Sequence, residues 1–375
     1  MILMATDHGS SAYNAGRLVT DTALMYDASV PLGQLQFFHR WLSHLCAPTF
    51  LFLAGTALAL SIERKLANGV RGASIDKDLL IRGLIILGVD LFFINLFWFP
   101  GAVLLQVMYA IGISMIFMIL LRRLPSPVLV ALSLVLLVSP EFFLPDQLQV
   151  SDSAGSMLAA LLLGAGLFDT SLEEFAPWEA IGIPDAFLVG YPVFPWLAMM
   201  ILGWVFGRWL LRRRESAGWN ADTVRLLAGT GVGALALYGV VRGFNTFGNL
   251  QLMRLDGSWI QWLHVSKYPP SVAFTALELG LMCLILAWLF VLQRRQGDDV
   301  NRDNAVLVFG QTAFFFYVAH IFILEISARA LGVYMTGGLQ ASSIATALSL
   351  VLLYPVCRWY RGYKRAHPQS VVRYL

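Results

Sequence analysis

The chain has 375 residues, 58% of them hydrophobic and 13% charged, with a mean hydropathy of +0.69. Soluble domains carry about 25% charged residues, so this composition excludes a soluble protein with one anchor and indicates a polytopic membrane protein whose first partner is the lipid bilayer. A net charge of +3 is too small to indicate nucleic acid, and Cys46, Cys283 and Cys357 sit in or beside apolar runs without CxxC spacing, which argues against a disulfide framework or a bound metal such as zinc.

Met1–Thr6 is apolar but too short to cross about 30 Å of hydrocarbon, and no basic segment precedes it as in a cleavable signal peptide. The stub over 1–8 reads as part of a helix, or as a segment that enters the bilayer only partway. It ends on Asp7-His8, and a histidine there can act as general base or nucleophile. The bland reading is an interfacial histidine. The second apolar run, 39–62, opens with His39-Arg40-Trp41-Leu42-Ser43-His44. Arg40 and His44 are four residues apart and share a helix face, and Pro48 should loosen the helix beside them.

Run 79–98 carries Asp90, with Asn95 and Trp98 behind it. An acid inside a span needs a cation or a proton, and such residues usually mark a functional path. Arg40 is a candidate partner, and an ion pair that merely joins helices is the competing reading. Runs 101–121 and 126–144 follow, the first after a Pro100-Gly101 turn. The stretch 155–168 suits a re-entrant or interfacial segment better than a span. Under that assignment 20 of the 26 Lys and Arg fall on one side, and the connection 141–191, with eight acids and no Lys or Arg, falls on the other. The positive-inside rule then makes the basic side and the C-terminus cytoplasmic, and the acidic connection extracytoplasmic.

Run 192–211 contains Gly203 and Gly207 at a spacing that lets helix backbones approach closely. Run 223–243 holds Gly229, Gly231 and Gly233, which no strand precedes, so they read as packing residues and not as a nucleotide loop. Run 270–292 begins at Lys267-Tyr268-Pro269-Pro270-Ser271, a stiff helix start that can also serve as an anion site through the positive end of the dipole; Glu278 lies two turns deeper. Run 305–328 carries Tyr317, His320 and Glu325, and Arg329 follows four residues after Glu325. His320 has no group in its own helix to ionise it and must find a partner across the bundle. Run 339–358 is the last. The predicted fold is all-α: a polytopic bundle of about ten transmembrane helices forming a single membrane domain over 1–375.

Several stretches together resemble the bacterial DUF1624 membrane proteins, grouped with the catalytic domain of heparan-alpha-glucosaminide N-acetyltransferase. They are Phe37 through Gly55, Asp7-His8 running to Arg17, Tyr191-Pro192-Val193-Phe194-Pro195-Trp196 to Gly203, Lys267 through Ser271, Phe309-Gly310 through His320, and Tyr354-Pro355-Val356-Cys357-Arg358. The resemblance implies a bundle of roughly ten helices in the bacterial inner membrane, an acetyl-CoA or other acyl-CoA donor, and a sugar or other hydroxyl or amine acceptor on the outer side. It also implies a central histidine, but counting back from Pro48 by the family spacing lands on Gln34. His8, His44 and His320 therefore stand as catalytic candidates on physical grounds, with Asp90 or Glu278 to orient them. Arg40, Lys267, Asn95, Tyr317 and Arg329 are candidates for binding substrate. Two other functions use the same residue types: a proton-coupled transporter or flippase, and a scaffold whose polar groups only join helices.

Overall fold

A computed structural model describes residues 1–95, 102–143, 154–164, 166–169, 186–216, 218–296, 301–367 and 370. Trp98, Pro100-Gly101 and most of the acidic connection 141–191 lie outside them. The described helices are α1 (Ile2–Tyr13), α2 (Gln34–Leu42), α3 (Cys46–Ala67), α4 (Gly72–Val89), α5 (Val107–Leu121), α6 (Ser126–Phe143) and α7 (Ala154–Leu162), then α8 (Val193–Arg213), α9 (Trp219–Phe244), α10 (Trp259–Leu263), α11 (Val272–Gln296), α12 (Ala305–Gln311), α13 (Ala313–Ala330) and α14 (Leu339–Ala366). Among the described residues seven helical stretches are long and apolar enough to cross a membrane, including the continuous Gln34–Ala67. α7 spans nine residues, roughly 14 Å of helix, too short to cross.

Local chemistry accounts for most of the interruptions. Pro48 has no N–H to bond the carbonyl of His44, and the chain tightens into a 3-10 turn over Ser43–Leu45 between α2 and α3. After α4 a π-turn runs over Asp90–Ile94, and the Asp90 carbonyl accepts both the backbone N–H and the side-chain amide of Asn95. The apolar run 101–121 does not become one helix. Its first residues form a strand, β1 (Ala102–Leu105), which pairs in parallel with β3 (Ala186–Val189); β2 (Gly166–Asp169) pairs antiparallel on the other edge of β3. This small sheet has no sequence signal beyond four apolar residues each in β1 and β3. The run 305–328 is also divided, because Thr312 leaves the helical region (φ −118°, ψ 28°) between α12 and α13.

Contacts divide the chain into two compact units. The first comprises Met1–Val19, Ala28–Cys46 and Gln296–Leu375; the second comprises Thr20–Asp27 and Ala47–Arg295. In the first unit α1 packs against α13 and α14. Its end is tied down by Asn14, whose amide donates to Ser10 Oγ and Gln36 Oε1 and whose Oδ1 accepts from Gly16 N–H and Gln36 Nε2. A small apolar cluster of Ala12, Tyr13, Leu324 and Ala328 lies beneath.

In the second unit α3 and α8 cross with their backbones in close approach. A Cβ on Gly203 would collide with the Phe52 carbonyl oxygen, and one on Gly55 with that of Met200. Glycine is required at both positions because the backbones touch. Thr56 reinforces the crossing, its hydroxyl lying 2.9 Å from the Phe52 carbonyl and 3.0 Å from that of Gly203. Of the glycines in α9, Gly231 packs on Gly280 and Leu284 of α11, while Gly229 and Gly233 meet nothing.

Candidate functional site

The sequence-predicted residues divide between the units. His8, Arg40, His44, Tyr317, His320 and Arg329 belong to the first; Asp90, Asn95, Lys267 and Glu278 belong to the second.

In the first unit α1 and α13 bring two histidines together. His8 Nδ1 lies 2.7 Å from His320 Nε2, and the rings are nearly coplanar in orientation, 7° apart. His320 Nδ1 is 2.7 Å from the carbonyl of Phe316, one helical turn back. A carbonyl only accepts, so His320 carries its proton on Nδ1, and its Nε2 accepts when the ring is neutral. His8 must then donate from Nδ1. A neutral His8 held this way has its lone pair on Nε2, as a base needs. Tyr317 meets both imidazoles edge-on, at 5.9 Å from His8 and 5.8 Å from His320. His320 thus finds its partner across the bundle, in a residue 312 positions away.

Asp7, although adjacent in sequence to His8, points elsewhere. Its carboxylate takes Arg17 at 2.8 Å and Arg40 at 2.7 and 2.9 Å. The cation proposed for Asp90 is therefore bound to Asp7. His39 lies within electrostatic reach of Asp7, Arg17 and Arg40. His44 is buried in the 3-10 turn. Arg329 pairs with Glu325 at 3.2 Å and stacks 3.9 Å over Tyr334, an arrangement that joins one end of α13 to the loop after it.

In the second unit Asp90 is fully buried. One carboxylate oxygen accepts the backbone N–H of Tyr109 at 3.0 Å and lies 3.4 Å from that of Gln106. It caps the start of α5 from outside, satisfying donors that a helix N-terminus leaves open. Asn95 Oδ1 accepts the N–H of Leu104 in β1. These two residues hold the turn, strand and helix start in register.

The start of α11 does not offer the anion site read from its sequence. The N–H of Val272 reaches Glu141, that of Ala273 reaches the Gly248 carbonyl and that of Phe274 reaches Ser271 Oγ. Lys267 is buried, with its backbone N–H on the Asp21 carbonyl and its ammonium 5.1 Å from the Tyr268 ring. Glu278 is buried within electrostatic reach of Lys267.

Arg242 gave no signal in the sequence, where it reads as a basic residue at a helix end. It is fully buried and donates to the carbonyls of Trp262, Leu252, Gln261 and His264 and to Asn249 Oδ1. It organises the whole connection between α9 and α11. His264 nearby lies 2.8 Å from the Thr20 carbonyl, and burial holds its imidazole pKa below the ordinary value.

Among the described residues no group of three or more His, Cys, Asp or Glu could hold a metal. The basic loops of the second unit divide into two sets. Lys65 pairs with Asp78, Arg122 and Arg123 with Asp76, and Arg208 with Glu63. Arg64, Arg71, Arg212 and Arg214 are exposed and carry no ion pair among the described residues.

The model of the family "Heparan-alpha-glucosaminide N-acetyltransferase, catalytic" matches residues 17–242, more than half of the chain. The chain belongs to this family. It is a multi-pass membrane protein of an acyltransferase type, as the apolar helices and the match agree. The matched stretch contains Arg40, His44, Asp90 and Asn95; His8, Lys267, Glu278 and His320 lie outside it. No curated protein matches the chain.

Proposed function

We propose that this protein transfers an acyl group from a CoA thioester to an amine or hydroxyl acceptor, with His8 as the general base. The single observation that carries the assignment of the base is the His8–His320 pair, whose hydrogen bonds fix the tautomer that puts the lone pair on His8 Nε2. The thioester, when bound, supplies the acyl carbon and a thiolate leaving group. His8 Nε2 takes the proton that the acceptor gives up on attack, and the same nitrogen, now protonated, returns it to the leaving sulfur. His320 positions His8, because its own Nδ1 proton is committed to the Phe316 carbonyl. Tyr317 edges both rings and limits their rotation. The charge bias of the loops supports a plasma (bacterial inner) membrane setting with a cytoplasmic C-terminus, the donor on the cytoplasmic side and the acceptor on the outer side.

The test is acyl transfer from radiolabelled acetyl-CoA in membranes that hold the chain, compared at matched abundance with His8→Ala, His44→Ala and His320→Ala. The reading expects label in an acceptor product, nearly abolished by His8→Ala and reduced by His320→Ala. Full turnover in His8→Ala with loss in His44→Ala would transfer the role of base to His44. Absence of turnover with acetyl-CoA and longer acyl-CoA donors would overturn acyl transfer itself.

A further inference from the structure

Lys267 and Glu278 in the second unit are a buried amine and a buried carboxyl that do not touch. Lys267 is 3% exposed and Glu278 1%. The charge of Lys267 is felt at Glu278, yet no ion pair or side-chain hydrogen bond joins them, and Glu278 Oε1 is buried with no partner among the described residues. Thr275 lies one turn before Glu278 on α11, and its hydroxyl is likewise buried without a partner among those residues.

An aromatic wall links the two charges. The Trp196 ring packs edge-on against Phe274, four residues before Glu278, and 4.7 Å from Tyr191. Tyr191 in turn meets Tyr268 at 5.4 Å, beside Lys267. The indole N–H of Trp196 is buried with no partner among the described residues. The backbone here is fully engaged, through Asp21, Glu141, Gly248 and Ser271. Main chain and helix start are therefore fixed, and Glu278 Oε1, the Thr275 hydroxyl and the Trp196 N–H are the groups left without a partner among the described residues.

A pair that served only to join α11 to the preceding loop would close to contact, because a buried ion separated from its counter-ion is costly. We infer that Lys267 and Glu278 form a binding site for a zwitterionic group, its acidic oxygen on the Lys267 ammonium and its protonated amine on the Glu278 carboxylate. A lone anion would face Glu278 uncompensated, and a lone cation would face Lys267. A neutral molecule would leave both charges without a counter-charge. A zwitterion neutralises each charge where it stands, and the aromatic wall accommodates the alkyl linker and favours the amine. Such a group occurs in small aminoalkyl acids and in aminophospholipid headgroups. The site does not depend on acyl transfer by His8.

The experiment is calorimetric titration of the purified full chain in detergent with β-alanine and O-phosphoethanolamine as probes, and inorganic phosphate and ethylammonium as single-charge controls. Native mass spectrometry with phosphatidylethanolamine and phosphatidylglycerol separates the two sources. The inference expects a zwitterion to bind at least about tenfold tighter than either control, and Lys267→Met and Glu278→Gln each to weaken it by about tenfold or more, the loss of one charge-assisted contact. A lipid source predicts selective retention of phosphatidylethanolamine, which the same variants abolish; a free source predicts binding of the small probes with no lipid preference. Phosphate binding as tightly as both zwitterions, affinity unchanged in Glu278→Gln, or no binding of any probe or lipid would overturn it. Glu278→Gln preserves volume and hydrogen bonding, so the inference stays testable if Lys267→Met does not fold.

Discussion

Arg242 and Lys267 are both buried cations in the second unit, on either side of the same connection between α9 and α11, yet their surroundings are opposite. Arg242 spends its guanidinium on four carbonyls and an amide oxygen. Lys267 fixes its backbone and leaves its ammonium beside an aromatic ring, short of contact with Glu278. A saturated cation holds a fold together, whereas one with open donors has capacity for a ligand. Arginine suits the first role because its planar fork satisfies several acceptors at once, and lysine suits the second as a compact charge on a flexible stem.

Arg242→Met strands buried carbonyls and should cost about 4 kcal/mol or more, at the exceptional end for single substitutions. Lys267→Met should cost less than Arg242→Met, since it strands no acceptor: the ammonium makes no ion pair or hydrogen bond among the described residues and lies only against the Tyr268 ring. Thermal unfolding of the purified chain reads both, and equal losses would erase the distinction. For the histidine pair of the first unit, His8→Ala should lower acyl transfer by about 10²- to 10⁴-fold while the unfolding temperature stays the same. His320→Gln should cost less, because it removes the group that sets the tautomer and leaves the base in place. A drop in stability parallel to the drop in rate would move this pair into the saturated class with Arg242.

Two glycines differ in the same way at smaller scale. Gly203→Ala drives a Cβ into the backbone of α3 and should cost about 1–3 kcal/mol. Gly233→Ala meets open space and should gain up to about 1 kcal/mol of helix stability. The smallest effect is one of pH. His264 has its folded-state pKa lowered by burial, so the unfolded chain binds a proton more readily than the folded one. Its contribution is present above the ordinary value of 6.5 and is lost as pH falls below it toward the lowered folded value. The size is about 1.4 kcal/mol for every tenfold difference in proton affinity between the folded and unfolded chain. His264→Gln should flatten the stability profile between about pH 7 and pH 5.

What could be read in advance depended on whether the signal was local. Hydropathy is a sum along the chain, so the existence of the membrane helices was legible in the sequence, as were the short segment at 155–168 and the close approach at Gly203. Pro48 announced the break at Ser43–Leu45 because a proline cannot bond its own i−4 carbonyl. The starting residue of α5 was hidden, since Asp90 caps it from another element and the preceding residues pair with β3, whose strand lies more than eighty positions later. The break at Thr312 and the role of Arg242 were hidden for similar reasons.

The candidate residues show the same boundary. Hydropathy alone puts Asp90, Glu278 and His320 inside apolar segments where they must be satisfied, because an ionisable group in hydrocarbon costs at least about 2.5 kcal/mol. It could not determine by what. Arg40 is bound to Asp7 and Asp90 to the backbone at the start of α5, while His320 is bound to His8. Those pairings follow from which helix faces meet, and helices in a membrane associate through shape, close backbone approach and hydrogen bonds between distant residues. That information exists only once the chain has packed.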